Sequence, residues 1–131
     1  MIISLDTNAY SALKRGHVGV ADRVRQSERV LISAVVVGEL MFGFHHGHRY
    51  EKNVKEFEEF LSSPFVQLSE VSLTTADRFG RIASILRSNG TPIPTNDIWI
   101  AAHTFETGAE LLSFDQHFSK VEGLVWSLMV G

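Results

Sequence analysis

Four acidic residues stand where an apolar stretch of sequence precedes or surrounds a carboxylate. Asp6 follows the apolar or small residues 2–5, and Asp115 follows an apolar segment in LLSFDQHF. Glu39 lies inside VVVGELMFG, and Asp97 stands in PTNDIWIAAH, ahead of a mostly apolar run. Because an unpaired carboxylate is costly to bury, each of these positions calls for a partner or a function.

Carboxylates that meet in one place repel one another. They remain ionised only if a cation lies among them, and otherwise one or more of them takes up a proton. A ligand set made of oxygen atoms alone, without His or Cys, favours a hard ion such as Mg²⁺ or Mn²⁺. Such an ion activates water and binds phosphate oxygens, so a meeting of the four acids predicts phosphodiester hydrolysis.

Each acid also has a purely structural explanation. Asp6 and Asp115 could form Asx turns after strands, and Asp97 could stabilise a helix N-terminus electrostatically. These explanations serve one residue at a time and account less well for four such positions in one short chain. The remaining acids mostly stand in polar segments typical of an ordinary surface.

The order of the predicted elements places the acids at one edge of a sheet. Apolar runs predict strands at residues 2–5, 30–33, 65–68, 109–113 and 124–126, and helical periodicity predicts helices at 8–15, 18–27, 34–46, 50–61, 75–88 and from an N-cap at Thr95 or Asn96 to about residue 106. Asn89 and Gly90 predict a left-handed end to the helix at 75–88. Alternating strands and helices predict an α/β fold with a mostly parallel sheet covered on both faces. Ligands of such sheets bind beyond the carboxyl ends of the strands, which is where Asp6 stands.

Composition predicts a single domain, residues 1–131, located in the cytoplasm. The chain is 44% apolar with three prolines, which argues against disorder. It contains no cysteine, which excludes disulfides and thiolate metal sites and favours a reducing compartment. No segment has the length of a membrane span, and the N-terminus lacks the pattern of a secretion signal.

The net charge of −3 does not exclude an RNA partner. If four acids bind cations in one cluster, the remaining surface carries a charge of about −3 + 4 = +1. Arg15, Arg49 and Lys52 are then candidates to neutralise an RNA backbone. Trp99, Phe42 and Phe44 could stack on bases, although at helical spacing such residues more often belong to a core or a dimer interface.

Histidines offer a second possible site. The segment His45-His46-Gly47-His48 could indicate a transition-metal site, but no carboxylate or cysteine is close in sequence, and we interpret it as a solvated helix end. His103 and His117 stand beside the acidic motifs and could touch phosphate. As isolated histidines, they are interpreted as structural residues.

Other functions use part of the same pattern. Hydrolases with a nucleophilic aspartate after the first strand usually need a second Asp two residues later, where this chain has Asn8. Glycosidases use two carboxylates rather than four. A non-catalytic module whose acidic pocket captures a basic partner stays open as an alternative, and metal-dependent turnover would discriminate it from an enzyme.

Four segments together resemble one known family, the PIN domain, and more closely the VapC-type ribonuclease toxins of bacterial and archaeal toxin–antitoxin pairs. The segments are LDTN (5–8), SAVVVGELMFG (33–43), PTNDIWIAA (94–102) and SFDQHFSKVEGL (113–124). They occur in the family's order and at its spacing, and they extend over most of the chain.

The resemblance implies a three-layer α/β/α sandwich that cuts structured RNA, chiefly tRNA and sometimes rRNA, with Mg²⁺ or Mn²⁺. The family's acidic residues fall on Asp6, Glu39, Asp97 and Asp115, and its supporting polar residues fall on Thr7 or Asn8 and on Ser113. The resemblance also implies a homodimer and a cognate antitoxin. The antitoxin would place an Arg or Lys near the acidic cluster, and the toxin would contact DNA only indirectly, through the antitoxin. The segment VVVGELMFGF and the helix at 50–61 could supply these protein-binding surfaces.

Overall fold

A five-stranded parallel sheet forms the centre of the protein, in a computed structural model that describes all residues 1–131. The strands are β1 Ile2–Leu5, β2 Arg29–Ser33, β3 Val66–Ser69, β4 Glu110–Ser113 and β5 Trp126–Leu128, in the spatial order β3-β2-β1-β4-β5. All four neighbouring pairs are parallel, so the predicted mostly parallel sheet is confirmed. The chain leaves β1 toward β2 on one side and later returns to β4 on the other, which makes the β1–β4 edge the topological switch point.

Six helices connect and cover these strands. They are α1 Thr7–Lys14, α2 Val18–Gln26, α3 Ala34–His46, α4 Tyr50–Leu61, α5 Leu73–Ser88 and α6 Thr95–Thr107, followed by a 3₁₀ turn at Gln116–Lys120. The three central strands are buried along consecutive residues, for example Ile3, Ser4 and Leu5 in β1. Because successive side chains of a strand point to opposite faces, both faces of the sheet are covered, as the α/β/α expectation requires. None of the helices combines the length and the apolar character needed to cross a membrane.

Most predicted element ends lie within one residue of those in the structure, and three elements differ more clearly. Helix α6 starts at Thr95 with Pro94 as its N-cap and has no side-chain cap, because the Asn96 amide bonds to Glu39 instead. Strand β5 comprises Trp126–Leu128 and not residues 124–126, since a turn with Gly123 at φ +81° precedes it. Helix α5 begins two residues earlier than predicted, at Leu73, where Ser72 and Thr75 form a capping box.

An aromatic cluster attaches α4 to α1. Phe57 is fully buried and meets the Tyr10 ring edge-on at 5.2 Å, and Phe60 meets the same ring at 5.1 Å. Phe44, near the end of α3, packs against Phe57 at 6.3 Å. This contact settles the role of Phe44 as a core residue, one of the two roles considered from its spacing.

Replacing Phe57 tests this cluster. We expect Phe57→Ala to lower the free energy of unfolding by about 3–5 kcal/mol, because it leaves a cavity among three aromatic rings. The matched control is Phe42→Ala, since Phe42 is 73% exposed, and its effect should stay within about 0.5 kcal/mol. Urea unfolding followed by circular dichroism measures both, and equal effects of the two variants would contradict the assignment.

Candidate active site

A polar cleft of about 480 Å³ opens at the carboxyl edge of the central strands. Its lining contains all four carboxylates singled out from the sequence and consists of Asp6, Thr7, Asn8, Glu39, Pro94, Thr95, Asn96, Asp97, Ile100 and Asp115. The fold therefore brings together acids that lie up to 109 residues apart in the chain.

Asp6 is the most buried of the four acids, at 6% exposure. It leaves the central strand β1 and forms the N-cap of α1, where its Oδ1 accepts from the Ala9 amide at 2.9 Å. The Ser113 hydroxyl donates to Oδ2. The pKa of Asp6 is raised to about 6, chiefly by burial and also by the charges of Asp97 and Asp115, while the two hydrogen bonds act to lower it.

Ser113 and Asp115 extend the site from the neighbouring strand. Ser113 ends β4, and its hydroxyl also accepts from the Asp115 amide at 2.9 Å. Asp115 caps the following 3₁₀ turn, with its Oδ1 accepting from the His117 amide at 2.8 Å. The structural explanation of Asp115 as a turn former is thus correct, and the residue lines the cleft as well.

Asp97 enters the cleft from the first turn of α6. Its Oδ2 lies 3.2 Å from the Nδ1 atom of His117. Burial is the largest cause that raises the pKa of Asp97, and the negative charges of Asp115 and Glu39 act in the same direction. The hydrogen bond and charge of His117 oppose them.

Two side chains hold Glu39, which projects from the middle of α3. The Thr7 hydroxyl donates to Oε1 at 2.5 Å, and the Asn96 amide donates to Oε2 at 3.2 Å. Thr7 therefore contacts an acid of the cluster, while the exposed Asn8 lines the cleft beside it. No sequence pattern indicates the contact between Asn96 and Glu39, because polar residues at the start of a helix are ordinary caps.

His117 lies in the site, which corrects its interpretation as a purely structural residue. Its Nδ1 atom lies 2.9 Å from Asp115 Oδ2 in addition to its contact with Asp97. The only local signal was its position two residues after Asp115. For His103 the structural interpretation is confirmed, since the buried ring bonds to the Ser33 hydroxyl at 2.8 Å and to the Glu70 carbonyl at 3.1 Å.

The donor atoms of this cluster fit a divalent cation. One ligand atom each from Asp97, Asp115 and His117 lie within 4.8 Å of one another. Burial and mutual repulsion raise the pKa values of Asp6 and Asp97, so a cation bound here would stabilise their ionised forms. This donor set contains a nitrogen, whereas the sequence led us to expect oxygen ligands alone.

The predicted substrate-binding cations lie outside the cleft lining. Arg15 follows the C-terminal end of α1, the end opposite Asp6. Arg49 directly precedes α4, and Lys52 approaches Glu56 at 3.9 Å on the surface of that helix. All three side chains are exposed, and a role for them in binding RNA stays a prediction.

The remaining aromatic and histidine candidates occupy different environments in the structure. Trp99 is partly buried and stacks on Phe79 at 4.1 Å, which makes it a packing contact between α5 and α6. Phe42 is exposed and lines a groove that adjoins the cleft and includes Thr7 and Glu39. The histidines at the end of α3, His45, His46 and His48, are exposed, in agreement with a solvated helix end.

The raised pKa of Asp6 predicts a stability cost in the metal-free protein. Because the folded pKa of about 6 exceeds the ordinary aspartate pKa of 3.8, the contribution of Asp6 to folding stability is complete below pH 4 and is lost as the pH rises through 6. Asp6→Asn keeps a capping side chain without the charge. We expect the metal-free variant to be more stable than wild type by on the order of 2–3 kcal/mol at pH 7.5.

Urea unfolding in EDTA between pH 4.5 and 7.5 measures this difference, which should shrink as the pH falls. Asp77→Asn is the matched control, because Asp77 is an exposed aspartate paired with Arg81 on α5. A difference between Asp6→Asn and wild type that does not change with pH would contradict the burial of a charged Asp6.

Comparisons with known proteins agree with this fold and site. Residues 3–124 match the PIN domain family. Ribonuclease VapC1 of Haemophilus influenzae strain R2866 is 29% identical over 131 residues, covering 96% of each chain. Ribonuclease VapC2 of Haemophilus influenzae strain Rd is 32% identical over 111 residues, covering 83% of each chain.

Solved structures show the same relationship. VapBC-1 from nontypeable Haemophilus influenzae superposes with a TM-score of 0.85 at 27% identity over 97% of both chains. VapBC2 from Rickettsia felis, bound to a DNA fragment from its promoter, has the same fold with a TM-score of 0.85 at 24% identity. With a family match across nearly the whole sequence and relatives covered over most of their length, the chain belongs to the PIN-domain family and, within it, to the VapC group.

Proposed function

We propose that this protein is a metal-dependent endoribonuclease and the toxin of a toxin–antitoxin pair. The observation that carries the proposal is the convergence of Asp6, Glu39, Asp97 and Asp115 in one cleft at the switch point of a parallel sheet. Membership of the VapC group supports RNA as the substrate, since relatives of the same length are named ribonucleases. A cytoplasmic location stays an expectation from the sequence.

We assign different roles to the four acids according to the contacts that each one makes. Asp6, Asp97 and Asp115 would hold Mg²⁺ or Mn²⁺, because they are the acids whose charges act on one another most directly. The bound ion supplies an activated water and stabilises charge on the phosphate. Glu39, fixed by Thr7 and Asn96, completes the ligand set or orients the attacking water.

The reaction is hydrolysis with water as the nucleophile. Water attacks phosphorus in line, and the bond to the departing 3′-oxygen breaks, so the fragments carry a 5′-phosphate and a 3′-hydroxyl. The polar lining of the cleft suits a phosphodiester substrate, and we propose structured RNA, tRNA or rRNA, as that substrate. Cutting either one would inhibit translation.

The groove beside the cleft is the surface that we propose for a protein partner. Phe42 is exposed there, next to Val35 and Gly38 of the same helix, and the groove continues to Glu39. A basic side chain of an antitoxin could approach the acids from this groove, because opposite charges across an interface favour association. The solved relatives VapBC-1 and VapBC2 are VapBC structures, and VapBC2 is bound to promoter DNA, which supports an antitoxin as the partner and DNA contact through that antitoxin.

RNA cleavage tests the enzymatic proposal. We expect the partner-free protein to cut purified cellular RNA into discrete fragments with Mg²⁺ or Mn²⁺ and to leave it intact in EDTA. Asp6→Asn should reduce the rate at least about a hundredfold, because it removes a proposed metal ligand. Glu51→Gln on the exposed side of α4 is the matched control and should cut normally.

End analysis of the fragments tests the chemistry. Fragments with 2′,3′-cyclic phosphate ends would contradict water as the nucleophile. Cleavage by Asp6→Asn at the wild-type rate would overturn the site, and RNA left intact under every condition by folded protein would favour the binding-module alternative.

Partner binding separates recognition from catalysis. We expect Asp6→Asn to bind a cognate antitoxin within about threefold of wild type, whereas Phe42→Glu weakens binding about tenfold or more by placing a charge in the groove. Leu73→Glu is the control, since Leu73 is 88% exposed and lies on α5. Isothermal titration calorimetry measures all three, and unchanged binding by Phe42→Glu would exclude the groove as the partner's site.

A further inference from the structure

His117 is held against the acidic cluster by the local backbone. It lies in the 3₁₀ turn Gln116–Lys120, which Asp115 caps through the His117 amide. The next residue, Phe118, is fully buried and anchors the turn in the core. The ring therefore approaches the carboxylates of Asp97 and Asp115 from a fixed position, with its Nδ1 atom toward both.

The spacing of the three donor atoms matches that of neighbouring ligands on one ion. Nδ1 of His117 lies 2.9 Å from Asp115 Oδ2 and 3.2 Å from Asp97 Oδ2. In an octahedral site with bonds of about 2.1 Å, adjacent ligand atoms lie about 3 Å apart. A proton shared between nitrogen and oxygen gives similar distances, so geometry alone permits both arrangements.

An imidazole ligand would change the preference of the site for its metal. Mg²⁺ takes oxygen ligands almost exclusively, whereas imidazole nitrogen binds divalent transition ions well. We propose that His117 Nδ1 is a direct ligand of the ion in this cleft and makes the site favour Mn²⁺ over Mg²⁺. This inference rests on the proposed metal-dependent function and adds a residue that the acidic motifs do not include.

Electron spin echo spectroscopy of Mn²⁺ bound to the full chain tests this directly. We expect ¹⁴N modulation from a coordinated imidazole in wild type, and its loss in His117→Gln. His48→Gln is the matched control, because His48 is an exposed histidine away from the cleft, and it should keep the modulation. In parallel, the Mn²⁺ dissociation constant should rise at least about tenfold in His117→Gln, and the Mg²⁺ constant should change less than about threefold.

Wild-type protein labelled with ¹⁵N-histidine provides a measurement that needs no variant. The ¹⁴N modulation should be replaced by ¹⁵N coupling, whatever the folding behaviour of His117→Gln. Bound Mn²⁺ without nitrogen coupling would overturn the inference and leave the proposed nuclease intact, with His117 only a hydrogen-bond partner of the acids. Failure of the folded wild type to bind Mn²⁺ or Mg²⁺ at all would overturn the proposed metal-dependent function as well.

Discussion

The hydrogen bond from Ser113 to Asp6 connects the ends of two central strands and defines the site. It joins residues 107 positions apart, and it fixes a carboxylate that is 6% exposed. A buried carboxylate is tolerated only when hydrogen bonds or a cation stabilise it. The strand order places β4 directly beside β1, and this adjacency is what allows Ser113 to reach Asp6.

Helix ends reduce the cost of concentrating negative charge in this cleft. Asp6 caps α1, Asp97 stands in the first turn of α6, and Asp115 caps the 3₁₀ turn. The amides at these N-termini carry partial positive charge that favours a nearby anion. The structural and the functional explanations of these acids are therefore compatible, because a position at a helix N-terminus also places each carboxylate in the cleft.

Helix α3 carries both Glu39 of the cleft and Phe42 of the adjoining groove. Its start is fixed by Ser33, whose hydroxyl accepts from the Val35 amide and bonds to the buried His103. His103 also bonds to the Glu70 carbonyl, so this one side chain of α6 connects the start of α3 to the segment after β3. A partner that binds at Phe42 would contact the helix that positions an acid of the site.

The sequence by itself determined the α/β class, most element boundaries to within one residue, and the four acids that line the cleft, because apolar periodicity and acids beside apolar runs are local properties of the chain. Only the tertiary structure decided that His117 joins Asp97 and that Asn96 supports Glu39, rather than capping α6. These contacts join residues 20 and 57 positions apart. Which side chains meet depends on strand order and helix packing, and no local pattern encodes that arrangement.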